Sequence, residues 1–262
     1  MIKMSVIFAA AAFLCGMNAW SAQPDPISAP NVRAKGKAGT NNSLNWSGYA
    51  VTGAVGSVTN VKGSWIVPAI STPCPVGSYQ YSSFWVGIDG YNSSTVEQAG
   101  TDSDCANGVP QYYTWYEFYP KRSRVSALAV KPGDSIQGEV SYIGGGNFLV
   151  TLTNVTTGQS FSVKGKVANA KRSSAEWIAE APSSGGILPL ANFGTSYFGM
   201  NFTSIAGTCA ATLGGQTGPI GQFGAGVQQI TMVTSSGTVK AQPSNLSTDG
   251  TSFQDQWYSS GP

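Results

Sequence analysis

Histidine is absent from the sequence. A Ser-His-Asp triad needs an imidazole to take the serine proton, and a Cys-His nucleophile needs the same group. A zinc site of the H-E-x-x-H type is equally impossible. Charge is scarce as well: Asp, Glu, Lys and Arg make up 10% of the 262 residues, against about 25% in an ordinary globular chain. The formal net charge of +2 is too small to predict a nucleic-acid partner. No apolar run is long enough to cross a bilayer. No long helical period, internal repeat or second-domain linker is visible. The Gly144-Gly145-Gly146 run lacks the lysine of a P-loop and reads as a loop between strands. Neither a metal nor a cofactor is called for.

What is present is aromatic and small. There are 11 Tyr, 11 Phe and 7 Trp along the chain, with 33 Gly, a pattern of many turns and short strands. The start reads as a signal peptide over residues 1–22: Lys3, then an apolar stretch at 5–16, then small residues Ala19, Ser21 and Ala22. A membrane anchor is the alternative. The mature chain is therefore expected to be exported, with no membrane attachment after cleavage. Residues 23–43 carry Pro24, Pro26, Pro30, Arg33, Lys35 and Lys37 and read as a flexible lead or a short propeptide. Export makes a disulfide plausible. Cys74 and Cys105 flank one compact stretch and are the favoured pair, which leaves Cys209 over.

From Asn45 onward the pattern is β. Residues 64–67, 84–88 and 113–119 are aromatic and β-branched runs. Ile136, Val140 and Tyr142 fall on one face, and Phe148, Val150 and Leu152 alternate with Leu149, Thr151 and Thr153. The turn at 156–159, followed by Phe161 and Val163, predicts a hairpin. Strands at intervals of about ten residues predict an all-β sandwich or barrel. Hydrolytic chemistry here would have to rest on carboxylates, amides, hydroxyls or lysine. Four acids stand in aromatic runs: Asp89, Glu117, Glu176 and Glu180. Desolvation there would raise their pKa values and suit acid–base work, although for any one of them an outward, solvated position is the simpler expectation. Asp134, Glu139, Asp249 and Asp255 lie in polar surroundings and are expected to be solvated.

Several stretches, in order, are similar to the glutamic peptidase family, the eqolisins. They are Asn45-Trp46-Ser47-Gly48-Tyr49-Ala50, Trp85-Val86-Gly87-Ile88-Asp89-Gly90, Val96-Glu97-Gln98-Ala99-Gly100-Thr101-Asp102, Trp115-Tyr116-Glu117-Phe118-Tyr119-Pro120, 153–159 and Ala175-Glu176-Trp177-Ile178. The resemblance implies an antiparallel two-sheet β-sandwich of the concanavalin A-like, jelly-roll type over residues 44–262. It implies a catalytic pair, Gln98 and Glu176, acting on protein or peptide substrates: the carboxylate takes a proton from water, and the amide steadies the oxyanion. It places Trp85 and Asp89 in the cleft, with Glu117 sharing it. Trp46 is read as cleft or core, and Trp65 as core. Glu180 is the rival for the glutamate role. Tyr113 departs from the acidic residue some relatives carry there, and the pI near 8.3 argues for mildly acid rather than extreme acid action. A monomer is expected. The alternatives are a carbohydrate-binding or carbohydrate-hydrolysing sandwich, for which Gln98 would have to be a second carboxylate, and a catalytically inactive binding homologue.

Overall fold

The computed structural model describes residues 41–71 and 73–261. The signal peptide and all but the last residues of the proposed lead lie outside them. The chain is built almost wholly of strands: β1 (Asn42–Ser43), β2 (Trp46–Thr52), β3 (Val58–Ile66), β4 (Tyr79–Gln80), β5 (Ser83–Ile88), β6 (Val96–Ala106), β7 (Val109–Tyr119), β8 (Arg124–Val125) and β9 (Ser135–Gly144). There follow β10 (Asn147–Asn154), β11 (Gln159–Lys166), β12 (Ser174–Glu180), β13 (Thr195–Gly199), β14 (Ala210–Leu213), β15 (Gln216–Pro219), β16 (Val227–Val233), β17 (Val239–Pro243) and β18 (Ser252–Trp257). A four-residue helix, Met200–Thr203, and a 3-10 segment, Ile220–Gly226, interrupt them. None of the described helices is long and apolar enough to cross a membrane.

Pairing is antiparallel except for the short β1, which runs parallel to β16. One series of hydrogen-bonded neighbours runs β16–β2–β12–β5–β6–β7–β8. A second runs β11–β10–β9–β3, and β3 then meets β14 and β13. From β13 the pairing passes through β18 and β17 back to β16. Strand β16 thus serves both: residues 227–230 pair with β2, and Met232 and Val233 pair with β17.

The alternation seen in the sequence decides what is buried. Phe148, Val150 and Leu152 of β10 are inside, as are Ile136 and Val140 of β9. The β10–β11 hairpin closes with Asn154 opposite Gln159. These residues join Val61 and Trp65 of β3 and Val86 and Trp177 of the first series in one large apolar core. Gly63 and Gly138 make that approach possible: a Cβ at either would lie 2.3 or 2.8 Å from the Val86 side chain. Trp65 is core, as expected, and its indole N–H donates to Thr101 Oγ1 at 2.9 Å. Cys74 and Cys105 form the disulfide, with Cα atoms 5.6 Å apart, and Cys209 is buried and unbridged.

Two acids depart from the solvated positions expected of them. Asp134 is buried because Asn154 Nδ2 (2.8 Å) and the Lys131 amide (3.0 Å) donate to it. Asp255 faces inward from β18, where the Ser47 hydroxyl donates to it at 2.8 Å. Asn154 and Ser47 lie 20 and 208 residues away, so local polarity misled. Glu139 is half-exposed in an ion pair with Lys62 at 3.2 Å, and Asp249 is exposed.

Candidate active site

Residues directly opposite one another in an antiparallel ladder project from the same face of the sheet. Register therefore places Gln228 (β16), Ala50 (β2), Glu176 (β12), Gly87 (β5), Gln98 (β6) and Glu117 (β7) in a single row. Glu176 and Gln98 are two strands apart, about 10 Å between backbones at ordinary strand spacing. Between them stands Gly87, which has no side chain. A Cβ there would lie 2.9 Å from the Trp85 ring and 3.0 Å from Gln98 Cβ, so the space over Gly87 is one the two long side chains and the indole share.

The hydrogen bonds around this gap are unevenly distributed. Gln98 Nε2 donates to Glu117 Oε2 at 2.7 Å. Among the described residues, Gln98 Oε1, Glu117 Oε1 and both oxygens of Glu176 are buried without a hydrogen-bond partner. Buried polar atoms are rarely left so, and four in one row mark a place where something polar is handled. Burial drives the Glu176 carboxyl well above the usual carboxylate range. The Ser174 hydroxyl and the Tyr91 amide nearby work against the rise, and the charges of Asp89 and Glu97 add to it. Burial also lifts Glu117 to about 9, against the bond from Gln98.

Glu180 lies on the same face as Glu176, but it is occupied. Its oxygens accept from Asn45 Nδ2 (3.3 Å) and from the Trp85 indole (2.8 Å). Glu180 thus anchors Trp85, which packs edge-on against Trp46 with ring centroids 4.9 Å apart. Trp46, Ala50, Trp85, Tyr91, Val96, Trp115, Ile178 and Ile230 form a second, smaller apolar cluster on this face. Trp46 belongs to it rather than to the main core.

Asp89 sits at the end of β5 with φ 73°. Its carboxylate accepts from the backbone amides of Arg172 (2.6 Å) and Ser173 (2.9 Å), and from the Ser173 and Thr95 hydroxyls. It is a clamp on the chain entering β12, acting on Glu176 through position and charge. All four acids of the aromatic runs are buried; the outward alternative holds for none.

A further acidic group emerges only from the fold. Alternation along β6 puts Asp102 and Asp104 on the face of Gln98. The single Tyr113 hydroxyl lies 2.8 Å from Asp102 and 2.9 Å from Asp104, and the Trp115 indole donates to Asp102 at 2.5 Å. One phenol proton cannot serve two carboxylates, so one contact needs a protonated acid. Burial raises Asp102 to about 6, and burial with the charge of Asp102 raises Asp104 well above its ordinary value. Stepping by two from Gln98 would have reached both in the sequence. Glu97, one residue off that step, faces the main core, and burial pushes it to about 9. Among the described residues no group of three or more His, Cys, Asp or Glu could hold a metal ion.

Comparison with known proteins meets this geometry. Residues 44–251 match the Peptidase A4 family, and the chain belongs to that family. It is 32% identical over 197 residues to Aspergillopepsin-2 of Aspergillus niger, a match spanning 67% of this chain and 66% of that one. It is 35% identical over 142 residues to Scytalidopepsin B of Scytalidium lignicola, spanning 52% and 51%. A scytalido-glutamic peptidase solved with a peptide-based transition-state analogue superposes with a TM-score of 0.66 at 26% identity, covering 82% of this chain and 98% of the other. The resemblance to the glutamic peptidases thus holds, and so does the antiparallel all-β fold. The family and these relatives are peptidases, hence hydrolases.

Proposed function

We propose that the chain is a secreted endopeptidase of the glutamic type, hydrolysing peptide bonds with water activated by Glu176 and an oxyanion steadied by Gln98. The observation that carries the reading is the row Glu176–Gly87–Gln98, in which a residue without a side chain separates a buried carboxyl from a buried amide whose oxygens are unpartnered. A peptide carbonyl entering over Gly87 meets both groups. The Glu176 carboxylate takes a proton from water as that water attacks, and the Gln98 amide N–H donates to the developing oxyanion. Glu176 then returns the proton to the leaving amine. Glu117 aims the amide, since Gln98 Nε2 is bonded to it. Trp85, held by Glu180, walls the gap. A raised pKa makes Glu176 a stronger base once ionised, and it moves the acid limb of activity above the ordinary glutamate range. The expected optimum in mild acid rests on the pI near 8.3.

In this reading residues 1–22 are a signal peptide, 23–43 a lead or short propeptide, and 44–262 the working unit. The two pairing series make the two sheets of a jelly-roll sandwich, with the site on the face carrying the smaller apolar cluster. Protein or peptide substrates are bound by a monomer. The sugar-cleaving alternative loses support from register. Register places Gln98, an amide, across Gly87 from Glu176, where a glycosidase would need its second carboxylate.

Digestion of a denatured protein by wild type, Glu176→Gln and Gln98→Ala across pH 3–8 tests the pair. The variants are expected to lose at least about a hundredfold in rate, with chelators without effect. Equal rates for all three, or a wild-type optimum above neutrality, would reject the assignment.

A further inference from the structure

Of the twelve acidic residues, nine are buried, whereas most of the cations among the described residues stand at the surface. Those cations are not evenly spread. Lys121 and Arg122 occupy the turn between β7 and β8, Arg124 opens β8, and Lys164 and Lys166 project outward from β11; all five are exposed. The fold brings the two groups together. Lys121 Nζ donates to the Lys166 carbonyl at 3.3 Å. Tyr116 of β7, opposite Arg124, stacks on Phe161 of β11 at 5.4 Å, and the Phe118 ring fills the space beside Gly165. No exposed carboxylate answers this charge among the described residues. The nearest by register, Glu139, is two strands inward and paired with Lys62. The turn also folds back on the site, since the Ser123 backbone amide approaches the Glu117 carboxyl. Val125, opposite Trp115, extends the cleft face beside it as an exposed apolar residue.

We propose that Lys121, Arg122 and Arg124, with Lys164 and Lys166, form a binding surface for an acidic stretch of peptide substrate. The proposal rests on the peptidase reading for its connection to catalysis. From the gap over Gly87 to Glu117 is two strands, about 10 Å, and the turn begins there. An extended chain at about 3.3–3.6 Å per residue reaches the cations four to six residues from the scissile bond. Like charge clustered along the β8–β11 edge, over which the chain would leave the cleft, raises the local concentration of its counter-charge and speeds encounter. It contributes affinity that salt removes.

The test is fluorescence anisotropy with the full chain carrying Glu176→Gln, so that no probe is hydrolysed. The probes are a labelled peptide with a run of Asp and Glu and its Asn/Gln twin, at about pH 5.5, where the acids are ionised. The acidic peptide is expected to bind about tenfold more tightly at low salt. The preference should vanish in Lys121→Gln/Arg122→Gln/Arg124→Gln, weaken in Lys164→Gln/Lys166→Gln, and fade at about 0.5 M salt. These side chains are exposed, and an unchanged melting temperature confirms that the variants fold. Equal affinity for the twins, a preference that survives the triple substitution, or tighter binding of a single-stranded RNA oligonucleotide would overturn the proposal. Cleavage by the wild-type chain is read separately. Preference without cleavage removes the peptidase reading and leaves the surface; cleavage without preference removes the surface alone.

Discussion

At the scale of single residues, the site depends on one missing atom. Gly87 keeps its place opposite both Glu176 and Gln98 with no side chain of its own. Gly87→Ala would set a methyl 2.9 Å from the Trp85 ring, 3.0 Å from Gln98 Cβ and 3.2 Å from the Glu97 carbonyl. The overpacking is expected to destabilise the chain by about 1–3 kcal/mol. The methyl would also stand in the space the scissile carbonyl needs, so kcat/KM should fall by about a hundredfold or more, because misplacement near 1 Å already costs that much. Peptide hydrolysis assays beside thermal melts check this. A variant that melts lower yet cleaves at the wild-type rate would show that the gap over Gly87 is not where the reaction occurs.

At the scale of elements, β12 is aimed by what precedes it. The Asp89 carboxylate holds the amides of Arg172 and Ser173, the last two residues before the strand that carries Glu176. Asp89→Ala leaves two half-buried amides without an acceptor, at a cost of about 1–3 kcal/mol by denaturant unfolding. It also removes one of the charges that raise Glu176, so the acid limb of the kcat/KM profile should move to lower pH. An unmoved limb would mean that Asp89 acts through structure alone. The same elements mark what could be read beforehand. β10 and its hairpin were legible because Phe148, Val150 and Leu152 alternate without interruption, and β5 and β7 because their aromatic runs are dense. The pairing of Gln98 with Glu176 was legible only through resemblance, since no local pattern states which residue of β12 lies opposite Gly87. The occupation of Glu180 by Trp85 and the burial of Asp255 under Ser47 depend on contacts 95 and 208 residues apart. Asp102 and Asp104 escaped because β6 reads as polar, although ten of its eleven residues are buried.

At the scale of the whole molecule, the placement of acids inside and bases outside fixes how stability responds to pH. Burial holds Glu97 and Glu117 near 9, and raises Glu176, Asp104 and Asp255 well above their ordinary values. In the unfolded chain the same groups titrate at about 4. Between those limits the folded state binds more protons than the unfolded state, so stability is fully present below about pH 4 and declines as pH rises toward 9. Each proton so held contributes a slope of about 1.4 kcal/mol per pH unit where its unfolded form is ionised and its folded form is not. Several such groups acting together predict a protein that tolerates acid and unfolds in mild alkali. Tyr113 extends the decline only above about pH 10, where an unfolded tyrosine ionises, because burial and the two aspartates oppose its ionisation in the folded chain. The melting temperature, followed from pH 3 to 9, should fall monotonically above pH 5. Glu97→Gln isolates one contribution. Its carboxyl is unpartnered on the face turned away from Gln98, and burial holds it near 9 so that it is uncharged in mild acid, so the neutral amide should flatten the decline without changing kcat there. A melting temperature that rises from pH 4 to 8 would mean that the buried carboxyls are ionised in the folded chain. Glu176 would then lack the raised basicity on which its role depends.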